Sequence, residues 1–171
     1  IAYNLKRLGG EPSPMATVGK DFEDYRRRLQ QNGIPDQHGV EIPSLYTAQC
    51  SITTDQDNNQ ITAFHPGAMG EAHQNKVADA ANISLGIVAP DGRDAMLQHS
   101  RDFAALSIPF VFDPGQNLPL FSKDALLACL DQTTWWVMND YESQLMMKIT
   151  ELTLDDIASQ VGALIVTRGG E

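Results

Sequence analysis

The sequence is short of cysteine. It has two in 171 residues, Cys50 and Cys129, far apart and outside any CxxC. That spacing specifies neither a disulfide framework nor a zinc site, and it suits a reducing, cytoplasmic compartment. Positive charge is also scarce. Twelve Lys and Arg stand against 22 Asp and Glu, a formal net charge of −10, which argues against nucleic acid or an anionic membrane as partner. A small anionic ligand stays open, because a local nest of backbone N–H groups is enough to bind it. No apolar run approaches the roughly 18 residues of a membrane span, and the opening residues carry no secretory apolar core. The four histidines, His38, His65, His73 and His99, show no HxxxH or HExxH spacing, so no metal centre is expected from them. A G-x-S-x-G elbow is missing, and with it the support for a hydrolase triad. Internal repeats, low-complexity tracts and linkers are missing too.

What remains has the composition of a folded domain, 42% hydrophobic and 20% charged, and is long enough to bury a core. Ile1, Leu5 and Leu8 share one helical face before Gly9-Gly10 stops the helix. Asp21 is placed to cap a helix carrying Phe22, Tyr25 and Leu29, ended by Gly33 and Pro35. Residues 40–54 and 60–65 are β-rich and joined by the polar run 55–59, which predicts a hairpin over about residues 40–66. A helix is expected over roughly residues 71–81. Strands then alternate with helices: strands at residues 83–88, 109–112, 135–138 and 163–167, and helices through Leu106, from about Ser122 to Leu130, after Asn139 and after Thr153. Short strands joined by helices mean βαβ units and an α/β fold with a mostly parallel sheet. Ile1 already lies inside a helix and the last strand stands close to Glu171, so an internal stretch of a longer protein is expected.

Ligands of parallel sheets bind at the C-terminal edge of the strands. Four polar or glycine-bearing runs stand there: Val88 to Gly92, Phe112 to Gln116, Met138 to Glu142, and Thr167 to Gly170. Asn139 with Glu142 has the spacing of a helix N-cap and its N3 partner, which is plain capping chemistry. The same placement suits a carboxylate that holds a Mg²⁺-bound water near phosphates. The Thr167-Arg168-Gly169-Gly170 run is either a simple turn or a glycine-permitted approach of backbone to a nucleotide phosphate. Gln60, Thr62 and Phe64 alternate, so they share one face of their strand, and Ile61, Ala63 and His65 share the other. The first set, with Gln116 at the sheet edge, offers hydrogen bonds and one ring to a ribose and a base; Met69 and Leu118 are further candidates for an apolar slot. The alternative is that Ile61 and Ala63 pack on the core.

The opening residues resemble the first signature of the PfkB/ribokinase family of sugar and nucleoside kinases. Ala2 stands at its small residue, Gly9 at its middle glycine and Gly19 at its last. The family's Asn-x-x-Glu motif matches Asn139 and Glu142. The Thr167 to Glu171 run is similar to its nucleotide-contacting strand and loop, and the hairpin looks like its lid. Ile61 to Met69, Val88 to Gly92 and Phe112 to Gln116 look most like the nucleoside (adenosine) kinase branch.

The resemblance implies a ribokinase-like, doubly wound, mostly parallel sheet with a small β lid, residues 1–171 being part of one kinase domain. It implies ATP as co-substrate and Mg²⁺, with Asn139, Glu142, Thr167, Arg168 and Gly169 on the nucleotide side and Gln60, Thr62, Phe64 and Gln116 on the substrate side. Glu142 would act on the metal through water. The expected activity is phosphorylation of a nucleoside 5′-hydroxyl. The alternatives are a sugar kinase of the same family and a non-catalytic nucleoside-binding protein. Lids of this family can pair two subunits, so a homodimer through the hairpin is also expected. The family's N-terminal strand and its glycine-rich anion hole with the general base have no match here. The base is therefore expected beyond Glu171, and this stretch alone is expected to be inactive.

Overall fold

In the computed structural model, which describes residues 1–57 and 59–169, the chain forms two compact units, residues 1–75 and 76–171. The first unit opens on α1 (Ala2–Arg7), which ends at Gly9-Gly10 as the sequence suggests. Two strands then run parallel, β1 (Met15–Gly19) and β2 (His38–Ile42), with α2 (Glu23–Gln31) between them. Strand β1 has no counterpart in the sequence reading. Its residues show no clean alternation; Thr17, Val18 and Gly19 are buried in succession. The pairing that makes it a strand comes from distant β2.

The hairpin is shorter than residues 40–66. Residues 40–42 belong to β2, Pro43 has no N–H to continue a ladder, and the antiparallel pair is β3 (Gln49–Thr54) with β4 (Gln60–His65). Asp55 closes its turn, accepting hydrogen bonds from the Asp57 and Asn59 N–H groups and the Asn59 side chain. After β4 the chain forms two short 3-10 helices, Gly67–Gln74 and Val77–Asp79, where an α-helix was expected over 71–81. Gly67, Gly70 and Asn75 propagate an α-helix poorly, and Ala68 is held from outside: its N–H donates to the Tyr46 carbonyl, and its carbonyl accepts from Thr17.

The second unit is a four-stranded parallel sheet in sequential order: β5 (Gly86–Val88), β6 (Phe110–Phe112), β7 (Trp135–Asn139) and β8 (Ala163–Thr167). The crossovers are α3 (Arg93–Ala105), then α4 (Lys123–Gln132), then α5 (Asp140–Thr150) with α6 (Leu154–Ser159). Ser122 caps α4, and capping boxes open α5 at Asn139 and Glu142 and α6 at Thr153 and Asp156, as their spacing predicts. Register puts Val88, Phe112, Trp136 and Leu164 in one row on one face. That face, with Met96, Leu126, Leu130, Met146 and Ile157 from the helices, is the core. On the other face Ile87 and Ile165 remain 44% and 50% exposed. Among the described residues no helix is long and apolar enough to cross a membrane.

The energetic contrast between core and hairpin is testable. Leu126 is fully buried and Ile61 is 77% exposed. Leu126→Ala is expected to cost about 2–5 kcal/mol, transfer plus cavity, and Ile61→Ala less than about 0.5 kcal/mol, measured by urea unfolding.

Candidate functional site

Parallel register brings the ends of β5 to β8 into one line. Asp91 follows β5, Asp113 follows β6, Asn139 ends β7 and Thr167 ends β8. The loops behind this line are tied together. The Asp113 N–H donates to the Val88 carbonyl at 2.9 Å, and the Asn117 amide donates to the Asp91 carbonyl at 2.6 Å.

Strand β7 runs into α5 with no loop, because Asn139 is both its last residue and the N-cap of the helix. Its side-chain oxygen accepts from the Glu142 N–H at 2.7 Å, and Glu142 Oε2 accepts from the Asn139 N–H at 2.8 Å. These two bonds fix both side chains at the strand end and use one of the two Glu142 carboxylate oxygens. Thr167 stands directly opposite Asn139 in the β7–β8 register. Two motifs well separated in sequence are therefore neighbours. Thr167, Arg168 and Gly169 are exposed. Gly169 has φ of +62°, a conformation costly for other residues, and a Cβ there would meet nothing within 4 Å. Gly170 and Glu171 lie outside the described residues.

Asp113 opens a turn whose carboxylate and amide, at the end of a strand, suit a hydroxylated ligand; Gln116 is the residue of that turn expected on the substrate side. In the fold the Asp113 carboxyl is held above the usual carboxylate range, first by burial and then by the negative charge of Glu142, while the Gly115 N–H opposes the shift. Asp91 is also held high, chiefly by burial, against the Gly92 N–H and the charge of His99. The carboxylate directly after a core strand is visible in the sequence; its burial and the nearby Glu142 charge are not. Among the described residues no three His, Cys, Asp or Glu side chains gather as a metal cage. Two carboxylates that feel each other remain.

On the first unit, Gln60, Thr62 and Phe64 do share a face of β4, and the β3 register adds Cys50, Ile52 and Thr54 to it. Both faces of the hairpin are exposed. Among the described residues Ile61 and Ala63 therefore pack on no core. Gln116 is exposed, in a 3-10 turn of the second unit. Leu118 is fully buried in the core of that unit and cannot line a ligand slot.

Asp21 does not cap α2, whose N-cap is Phe22 with no side-chain bond. Its carboxylate turns to the approach to β3 instead. Oδ1 accepts from the Thr47 N–H and from the Thr47 hydroxyl, both at 2.8 Å, and Oδ2 accepts from Gln49 at 3.3 Å. The Thr47 bonds hold this carboxyl below its usual range. It also borders a cavity of about 410 Å³ with Phe22, Tyr25, Thr47, Ala48 and Gln49.

The Asp113 environment sets a sign for pH. Its folded-state pKa is raised, so the native state binds its proton more tightly than the unfolded chain. That contribution to stability is complete below the ordinary carboxylate range and is lost as pH rises through the folded value. Asp113→Asn, which cannot ionise, is expected to melt above the parent near neutral pH, with the gap closing in acid. Thermal unfolding across pH checks this; a gap that does not depend on pH contradicts it.

Comparison with known proteins gives the family and the fold. A nucleoside kinase of Methanocaldococcus jannaschii is 34% identical over 99% of this chain and 56% of its own length. One from Methanothermobacter thermautotrophicus is 32% identical over 74% of this chain and 42% of its own. The chain thus spans about half the length of the curated relatives it matches. Among solved structures, the nucleoside kinase of Burkholderia thailandensis in complex with inosine is 46% identical with a TM-score of 0.95, covering 98% of this chain and 56% of that one. The same enzyme in complex with ADP-inosine gives a TM-score of 0.93. The solved M. jannaschii nucleoside kinase, an archaeal member of the ribokinase family, gives 0.90 at 30% identity. The fold is ribokinase-like. The description "pfkB family carbohydrate kinase" matches residues 1–171 from end to end, and a chain that carries the Asn139–Glu142 box beside Thr167 over that whole span belongs to this family.

Proposed function

We propose that the protein transfers the γ-phosphate of ATP to the 5′-hydroxyl of a nucleoside such as adenosine or inosine. The observation that carries this reading is the pairing of Asn139 with Thr167 at the C-terminal edge of the parallel sheet. The whole chain's likeness to nucleoside kinases, one of them in complex with inosine, supports a nucleoside rather than a free sugar. In the reaction the 5′-oxygen forms a bond to the γ-phosphorus while the bond from that phosphorus to the β–γ bridging oxygen breaks. ADP departs, and the hydroxyl proton passes to a general base. Such a transfer is mostly positioning and charge stabilisation.

In this reading Thr167 and the backbone around Gly169 take phosphate oxygens, and Arg168 adds positive charge to an otherwise acidic chain. The open space at Gly169 lets a phosphate approach the main chain. The Asp113 and Glu142 carboxylates fit a hard divalent cation that keeps several waters and is shared with phosphates. Glu142 would hold it through water. Magnesium, when bound, neutralises charge on the transferring phosphate. Gln60, Thr62 and Phe64 on the hairpin and Gln116 on the sheet edge bind the nucleoside. The opposite hairpin face, with Ile61 and Ala63, serves a second copy of the chain.

Titration of the full-length protein with adenosine and inosine, against ribose and fructose, tests the proposal. Nucleosides are expected to bind and to be phosphorylated with ATP; sugar turnover without nucleoside binding overturns it. Glu142→Gln is expected to lower kcat and shift the Mg²⁺ dependence. Phe64→Ala is expected to weaken nucleoside binding by roughly 1–3 kcal/mol if the ring stacks on the base, with ATP affinity nearly unchanged.

A further inference from the structure

Both faces of the β3–β4 hairpin are exposed among the described residues. A two-stranded hairpin has little stability of its own, and among the described residues of one copy nothing covers either face. Within one copy its position is therefore set where its two legs join the unit. The second leg is fixed just after β4, where Ala68 bonds to Tyr46 and Thr17. The first leg is fixed at Thr47. The Gly19 N–H donates to the Thr47 hydroxyl at 2.9 Å, and that hydroxyl in turn donates to Asp21. The Lys20 N–H bonds the Leu45 carbonyl, and the Lys20 ammonium lies 4.2 Å from the Tyr46 ring centroid. Segment 46–47 is pressed so closely between Gly19 and Gly67 that a Cβ on either glycine would overlap its backbone.

We propose that Asp21 is the positioning residue of the lid. Its carboxylate holds Thr47 and Gln49, one just before and one at the start of β3, and so fixes the angle at which the face bearing Phe64 is presented. The function of this latch rests on the nucleoside-kinase reading; its mechanics do not. Asp21 binds the chain and not the substrate. Its removal loosens the hairpin and leaves the sheet edge of the second unit as it was.

Two measurements on the full-length protein test it. Cys50 on β3 is exposed, while the Cys129 thiol is buried and pushed up to about 11 by burial, so a thiol-specific nitroxide reports the hairpin once every cysteine of the full-length protein outside this chain is replaced by serine. Asp21→Ala and Thr47→Val are expected to give a more mobile spin-label spectrum, and Thr47→Ser, which keeps the hydroxyl, the parental one. In the unlabelled enzymes the KM for nucleoside is expected to rise about tenfold, the effect of losing roughly one hydrogen bond, with the KM for ATP within about twofold. Should Asp21→Ala fail to fold, the near-isosteric Thr47→Val decides. Parental mobility in a folded Thr47→Val, or equal rises in both KM values, overturns the latch. If the parent phosphorylates no nucleoside, the functional reading fails, and the spin-label comparison still upholds or overturns the latch.

Discussion

Phe112 and Trp136 lie across neighbouring strands with ring centroids 4.7 Å apart, in the row that runs from Val88 to Leu164. That row is the constraint on which the second unit depends. Parallel pairing leaves each strand little choice of register, since a slip of one residue would turn Phe110, Phe112, Trp136 and Met138 out of the core. With register fixed, the four strand ends fall into line. Asp91, Asp113, Asn139 and Thr167 come to stand along one edge, with Asn139 directly beside Thr167. The chemistry at the edge is thus a consequence of packing on the buried face.

At this edge the carboxyls of Asp113 and Glu142 act on each other electrostatically, in a chain that is already strongly acidic. Burial and Glu142 act on Asp113 in the same direction, and only the Gly115 N–H opposes them. Under the proposed function, a divalent cation shared with phosphates would relieve that repulsion. At Gly169, after Thr167, no Cβ stands in the way and the space around the main chain is open.

The hairpin follows a different logic. Its residues are polar and β-branched, its tip is closed by Asp55, and it carries no core. Its place depends on a few hydrogen bonds at its base and on two glycines that let main chains touch. Stability of the unit and position of the hairpin are therefore separable, because the first is a matter of buried area and the second of directed polar contacts.

The capping boxes at Asn139 and Thr153, the α1 stop at Gly9-Gly10, and strands β6 to β8 were legible in the sequence, because each depends on neighbours a few residues away or on an apolar run bounded by turn residues. The face shared by Gln60, Thr62 and Phe64 was legible for the same reason, as period alone decides it. Strand β1 was not, since a five-residue segment without alternation becomes a strand only when β2 pairs with it. The 3-10 course of residues 67–74 was not, since Thr17 and Tyr46 impose it. Leu118 and Asp21 were misjudged because burial and long-range hydrogen bonding are properties of the folded chain. The sequence by itself determined the α/β rhythm, the caps and the residue types at each strand end. Tertiary structure decided which of those ends meet: Asn139 beside Thr167, Asp113 within reach of Glu142, and Asp21 on Thr47. Proximity between residues far apart in the chain is created only when the core closes.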